Sequence, residues 1–292
     1  MKVGVHANPN RPEALRVARA VCDRLAGGAS VVVSRETAGS VGSDLTALPI
    51  EEIDADVLVV VGGDGTFLST APRTVIPVLP VNAGTVGFLS EVDGRDTAAL
   101  DAALARLLRG QYFLEYRMKV GSRVDGQELP DAINEVVVHT SQVAKMRLFE
   151  IDVDGRPVGR IRGDGIILAT PTGSTSYSLS AFGPIVDPGI EAIVLTALAP
   201  FQATQRAVLV DPLRTVGVRL VQPDKDGVVV VDGQSETRLP GGSRVEVYRS
   251  PRKVAFVRFE SRFFDRLRGH RILPWSSDDE GEATHADVPP PA

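Results

Sequence analysis

The chain has 292 residues, 43% hydrophobic and 24% charged, with a mean hydropathy of +0.04 and a net charge of −5. This is the composition of a soluble globular protein with enough chain for two modest cores. The acidic balance gives no electrostatic footprint for nucleic acid or for an anionic membrane surface. A single cysteine, Cys22, excludes an intrachain disulfide and a cysteine-based zinc site.

Residues 3–7 read as a buried strand that begins directly after Met1-Lys2, with no signal-peptide anatomy. No apolar run approaches the ~20 residues of a membrane span, so a cytoplasmic protein is expected. Asn8-Pro9-Asn10 turns the chain into a helix over 13–25, with Leu15, Ala18, Cys22 and Leu25 on one face. Gly27-Gly28 stops it. Strands are predicted over 30–34, 57–61 and 76–81. A helix is predicted over 96–108, with Leu100, Ala103, Leu104 and Leu107 inward and Gly110 just past its end. Continuous apolar strands alternating with helices predict a Rossmann-like parallel sheet covered on both faces.

The pattern changes after Tyr112. Residues 119–259 break into short β-rich runs punctuated by Asp125-Gly126, Asp154-Gly155, Asp226-Gly227, Asp232-Gly233 and Gly241-Gly242, all hairpin signals. The expected organisation is an α/β domain over 1–112 and a β-rich, sandwich-like domain over 113–260. A short helix within 261–275 and a disordered acidic, proline-ending tail over 276–292 complete it.

Two glycine-rich segments could carry chemistry. Gly62-Gly63-Asp64-Gly65-Thr66 directly follows the strand at 57–61 and leads into a short helical pattern from Phe67. Residues without side chains let backbone amides approach phosphates while an acid handles a proton or a metal ion. The segment is neither a Walker A loop nor a Gly-x-Gly-x-x-Gly fingerprint. A tight strand-to-helix turn with a capping aspartate is the structural alternative. In the second segment, Gly163-Asp164-Gly165 opens the apolar strand 166–169 and places Asp164 at a strand mouth. Asn134-Glu135 lies at the mouth of the strand 136–138. Between Pro171 and Ser180 seven hydroxyls crowd together: Thr172, Ser174, Thr175, Ser176, Tyr177, Ser178 and Ser180. Hydroxyls can bond a purine edge or a ribose, and Tyr177 offers a ring to stack on. His6, His139, His270 and His285 are scattered and form no ligand set, so no protein-bound metal site is expected.

At these residues the chain resembles the NAD kinases. The likeness runs from Val57 to about Leu267. It covers Gly62-Gly63-Asp64-Gly65-Thr66, Asn82-Ala83-Gly84-Thr85-Val86-Gly87-Phe88-Leu89, Asn134-Glu135 and Gly163-Asp164-Gly165. It continues through Pro171-Thr172-Gly173-Ser174-Thr175-Ser176-Tyr177, Gly183-Pro184-Ile185-Val186 and Asp232-Gly233-Gln234. The first motif is shared with lipid kinases and phosphofructokinases; the set in this order belongs to NAD kinases.

The resemblance implies transfer of the ATP γ-phosphoryl group, or that of polyphosphate, to the 2′-hydroxyl of the NAD adenosine ribose. A divalent cation, Mg²⁺, would ride on the ATP phosphates. By the same likeness Asp64 would be the general base, and Gly62, Gly63, Gly65 and Thr66 would meet the ATP phosphates. Asn134 and Glu135 would hold the NAD ribose and adenine region; Thr175, Ser176, Tyr177 and Ser180 would line the adenine pocket. Asp164 would lie toward the nicotinamide, with Lys145, Arg162, Thr172, Ala199 and Gln234 at further contacts. It also implies a homodimer or homotetramer. Ser176, Phe201-Gln202 and Ala207 depart from the family pattern. A lipid kinase sharing the glycine loop and a non-catalytic dinucleotide sensor are the rival readings.

Overall fold

A computed structural model describes residues 1–42, 44–84, 87–202 and 204–272. The expected tail over 276–292, residues 273–275, and Thr85-Val86 of the resemblance lie outside the described residues.

The first half builds β1 (Lys2–Ala7), α1 (Pro12–Leu25), β2 (Ser30–Ser34), α2 (Arg35–Val41) and β3 (Thr46–Leu48). It continues with β4 (Val57–Gly62), α3 (Asp64–Thr70), β5 (Val78–Asn82), β6 (Val92–Asp93) and α4 (Thr97–Leu108). Strands β3, β2, β1, β4, β5 and β6 are parallel neighbours in that order. Pro12 starts α1, where its missing N–H costs nothing. Asp96 caps α4 by accepting the Ala99 N–H at 3.0 Å, and Gly110 follows its end at φ +67°. Strand β5 starts at Val78 rather than Ile76 because Pro77 has no N–H for the ladder; its carbonyl instead accepts Leu58 N–H at 2.9 Å.

The second half is nearly all strand: β7 (Phe113–Val124), β8 (Gln127–Glu128), β9 (Glu135–Thr140), β10 (Arg147–Val153), β11 (Arg156–Gly163) and β12 (Gly165–Ala169). After the short helix α5 (Tyr177–Ser180) come β13 (Ile193–Leu198), β14 (Val208–Val210), β15 (Val216–Leu220), β16 (Gly227–Val231), β17 (Ser235–Leu239) and β18 (Arg244–Arg258). The two-residue turns at Asp125-Gly126 and Asp154-Gly155 take positive φ throughout and join β7 to β8 and β10 to β11. Asp232-Gly233, also at positive φ, opens the three-residue turn between β16 and β17. Asp226-Gly227 makes no such turn. A Cβ on Gly227 would lie 2.6 Å from the His139 carbonyl, so this glycine serves strand contact instead.

Among the described residues the strands form two sheets. The larger runs β11-β10-β15-β18-β5-β4-β1-β2-β3, and the smaller runs β14-β13-β12-β9-β16-β17. Strand β18 pairs antiparallel with β7 along its length, with β15 through its first residues, and parallel with β5 through Phe256 and Val78. Four apolar clusters follow among the described residues, the smallest of them around Val137, Ile167 and Val194 of the smaller sheet. Helices α1 and α4 cover one face of the parallel strands, burying Cys22, Leu25, Leu100 and Leu107. On the other face Phe67, Leu68, Ile133, Val254 and Phe256 pack together. Between the sheets Phe149, Ile166, Leu168 and Val247 form a third core. Residues 1–259 are one compact unit; those from Glu260 form another, with α6 (Phe263–Gly269) as its helix.

Full burial of a leucine contributes roughly 1.5–3 kcal/mol, and a cavity adds to the cost of removing it. Leu107 is 0% exposed under α4. Leu107→Ala is expected to lower unfolding free energy by about 2–5 kcal/mol, read from urea denaturation midpoints.

Candidate functional site

Asp64 opens α3, three residues earlier than the apolar pattern predicts, because Gly63 adopts an extended cap (φ −96°, ψ −178°). The Gly63 carbonyl then accepts Thr66 N–H at 2.9 Å and Phe67 N–H at 3.3 Å. Both carboxylate oxygens of Asp64 are engaged: Phe88 N–H donates to Oδ2 at 2.9 Å and Leu89 N–H to Oδ1 at 3.3 Å. A Cβ on Gly87 would stand 2.2 Å from Asp64 Oδ1, so only glycine permits this approach. Gly63 and Gly65 are exposed, leaving their backbone open beside the acid, while Gly62 is closed in by the Thr66 side chain. Thr66 Oγ1 accepts Asn8 Nδ2–H at 3.3 Å.

A cavity of about 500 Å³ lies on the outer face of the smaller sheet. Alternate residues of β9, Glu135, Val137 and His139, face it together with Val228 and Val230 of the adjacent β16. Asn134, Ser176, Tyr177, Asp232 and Gly233 line one end, and α3 contributes Leu68. Asp64 and Leu68 are four residues apart on one helix, so they share a face.

One buried carboxylate organises that end. Asp232 accepts the N–H groups of Ile133, Asn134 and Glu135 at 2.7, 2.8 and 2.9 Å. Pro171-Thr172-Gly173 packs against the same strand mouth: a Cβ on Gly173 would stand 2.2 Å from the Asn134 carbonyl. Glu135 is 6% exposed; its Oε1 accepts Ser176 Oγ–H at 3.2 Å, and its Oε2 is buried without a partner. Burial first, and then the nearby Asp232 charge, push the Glu135 carboxyl up to about 8. Burial also raises Asp232, opposed by the three amides and by Lys119. At neutral pH Glu135 therefore holds a proton and can donate as well as accept.

The structure gathers Asn134, Glu135, Ser176 and Tyr177 at one cavity; Asp64 is not among its lining residues and stands one helical turn from Leu68, which is. Tyr177 is 42% exposed, so its ring is available. The hydroxyl-rich stretch is otherwise used largely within the fold. Ser174 Oγ donates to the Pro171 carbonyl and accepts Val186 N–H; Thr175 Oγ1 donates to the Thr172 carbonyl; Ser178 pairs with Thr196. Thr172 is buried and Ser180 exposed. Asp164 is half-buried where β11 meets β12, its carbonyl accepting Thr140 N–H at the far end of β9. Lys145, Arg162 and Ala199 are exposed and line no part of the cavity. The Arg162 guanidinium lies 5.1 Å from the ring centre of Phe201, one of the departing residues. Gln234, exposed, follows the Asp232-Gly233 turn. Sequence reasoning missed His139, Val228 and Val230 as cavity residues; the alternation Glu135-Val136-Val137-Val138-His139 was the signal that could have placed them on one face. His139 Nδ1 lies 2.7 Å from the Thr140 carbonyl.

Family models for the ATP-NAD kinase N-terminal domain and C-terminal domain match residues 3–112 and 133–259. The NAD kinase of Thermococcus kodakarensis is 40% identical over 272 residues, covering 91% of this chain and 97% of that one. The NAD kinase of Methanothermobacter thermautotrophicus is 39% identical over 280 residues, covering 92% and 95%. Among solved structures, an NAD kinase from Archaeoglobus fulgidus in complex with ATP superposes with a TM-score of 0.74 at 27% identity. That match covers 94% of this chain and all of the other. Yeast NADH kinase complexed with NADH gives a TM-score of 0.84 at 21% identity over 99% and 90%, a likeness of fold.

The Glu135 proton sets a pH dependence. Between 4.5 and about 8 the unfolded chain has released this proton while the folded chain keeps it. Stability therefore falls as pH rises through that window, by at most about 1.4 kcal/mol per pH unit from this group, and levels off above it. Urea midpoints measured from pH 5 to pH 9 should show a shallower decline in Glu135→Gln than in the wild type. Parallel profiles would mean that Glu135 ionises normally.

Proposed function

The chain belongs to the ATP-NAD kinase family and is an NAD kinase, and from that premise we propose how its residues divide the work. The reaction moves the γ-phosphoryl group of ATP to the 2′-hydroxyl of the NAD adenosine ribose, giving NADP. The observation that carries the assignment of roles is the position of Asp64. It stands on the glycine loop, one helical turn from a residue lining the cavity that holds Asn134 and Glu135.

Asp64 is the general base. A carboxylate offers about four lone-pair sites; the amides of Phe88 and Leu89 fix its plane. The exposed backbone at Gly63 and Gly65, with Gly62 and Thr66, meets the ATP phosphates. Asn134 and Glu135 hold the ribose and adenine region of NAD, supported by the buried Oε2 that lacks a protein partner. Thr175, Ser176, Tyr177 and Ser180 form the adenine side. Asp164 lies toward the nicotinamide, and Lys145, Arg162, Thr172, Ala199 and Gln234 make outer contacts.

Among the described residues no cluster of three or more His, Cys, Asp or Glu side chains could hold a metal ion. The backbone N–H groups of the glycine loop suit phosphate rather than a cation, so a divalent cation, Mg²⁺, would enter with ATP, held by phosphate oxygens and water. Its chemistry is neutralisation of phosphate charge. Assembly as a homodimer or homotetramer is supported by Val208 and Leu209, each about half exposed on the edge strand β14. Dependence on ATP supports a cytoplasmic location; no described helix is long and apolar enough to cross a membrane. A boundary near residue 112 is supported by the extents of the two family models.

Positioned base catalysis is worth roughly 10²–10⁴-fold. With NAD, ATP and Mg²⁺, Asp64→Asn is expected to lose about that factor in kcat while the protein still folds and binds NAD. NADP formation, followed by a coupled dehydrogenase, checks it. Near-full turnover would remove Asp64 from the role.

A further inference from the structure

Arg258, the last residue of β18, is 2% exposed although it carries a permanent charge. Its Nη1 donates to the Leu89 carbonyl and to Glu91 Oε2, each at 3.0 Å, and its Nε donates to Glu115 Oε2 at 2.8 Å. Glu91 Oε1 accepts the N–H of Phe259 at 2.9 Å. Arg117 joins the same cluster through Glu115 at 3.0 Å. Two arginines and two glutamates thus balance in charge beneath the segment that follows β5. An ion pair buried as deeply as Arg258–Glu91 adds little net stability over an apolar replacement of equal volume. Stability alone is therefore a poor account of why this cluster is here.

Its position supplies a better one. Leu89, whose carbonyl Arg258 holds, donates its own N–H to Asp64 Oδ1; the preceding residue, Phe88, donates to Oδ2. A second route reaches the same helix. The Arg258 and Arg117 guanidiniums lie 4.5 and 4.9 Å from the ring centre of Phe256, and Phe256 stacks at 4.7 Å on Phe67 of α3. Phe67 is three residues from Asp64. Both the loop that orients the carboxylate and the helix that carries it are therefore braced by one guanidinium.

We propose that Arg258, clamped by Glu91 and Glu115, is a positioning residue for the phosphoryl transfer, fixing the plane of the Asp64 carboxylate through Leu89 and Phe256. It touches no substrate. The inference rests on Asp64 being the base, and the test separates the two. A misplacement of about 1 Å in an oriented reacting group can cost ~10²-fold in rate. Arg258→Lys keeps the charge but cannot reach Leu89, Glu91 and Glu115 in one planar fork. It is expected to lower kcat by ~10- to 10²-fold, with KM for NAD and for ATP within about 2-fold of wild type.

Glu91→Gln, nearly isosteric, should show the same split more weakly, and both variants are compared below their measured unfolding temperatures. The deciding measurement adds each substitution to Asp64→Asn. If Arg258 acts through Asp64, it costs nothing further in that background. An equal loss of kcat with and without the Asp64 carboxylate, or a rise in KM at unchanged kcat, overturns the proposal. Near-wild-type turnover by Asp64→Asn alone overturns the general-base reading itself, and the proposal with it.

Discussion

Strand β18 is the constraint on which the arrangement depends. It is long enough to belong to two neighbourhoods: its first residues pair with β15 and its last lie beside β5, while β7 accompanies it throughout. A bulge between Arg249 and Lys253 lets the paired strands change direction between those neighbourhoods. The parallel α/β half and the antiparallel half consequently share one hydrogen-bonded sheet. The core under α3 contains Phe67 from the first, Ile133 from just before the first cavity strand, and Phe256 from β18. The glycine-loop helix and the chain entering the first cavity strand therefore meet in one core.

Within that frame the site is organised by carboxylates that accept backbone amides. Asp64 orients the segment at Phe88 and Leu89; Asp232 gathers three successive amides at the mouth of β9. Both orderings satisfy N–H groups that loops next to a ligand cavity would otherwise leave unpaired. The second has an electrostatic side effect. Placing Asp232 in the interior next to Glu135 makes ionisation of both costly, so one proton stays, and Glu135 presents a neutral carboxyl to the cavity. A neutral carboxyl can match an adenine edge, which offers donor and acceptor side by side, better than a carboxylate that only accepts.

Much of this was legible in the sequence where local chemistry decides structure. The valine-rich run before Gly62, the spacing of Leu100, Ala103, Leu104 and Leu107, and the Asp-Gly pairs at 125, 154 and 232 each act within a few residues, and each formed the expected element; Asp226-Gly227 did not, because Gly227 is taken up by strand contact. Helix α2 was not legible: Arg35-Glu36-Thr37-Ala38-Gly39-Ser40-Val41 has no apolar period, and of its side chains Thr37 and Val41 are the buried ones. The return of β18 to β5 was invisible because it joins residues 256 and 78, far apart in the chain. At the site, the motifs located Asp64, Asn134 and Glu135. What they could not give was the division of labour among hydroxyls: Ser174 and Ser178 hold the loop together, and Ser176 faces Glu135. Nor could they show His139 as a wall of the cavity, since that depends on which face of β9 is covered.

The lone thiol has a use of its own. Cys22 is 4% exposed in the core beneath α1, and burial, with a contribution from Asp23, pushes it up to about 11. Alkylating reagents attack the thiolate, so this sulfur stays inert while helix and sheet remain together. It becomes labelled when they part. The chain thus carries a native chemical clock for the opening of its glycine-loop half, and comparing its ticking with and without nucleotide would show whether substrate binding stiffens that half.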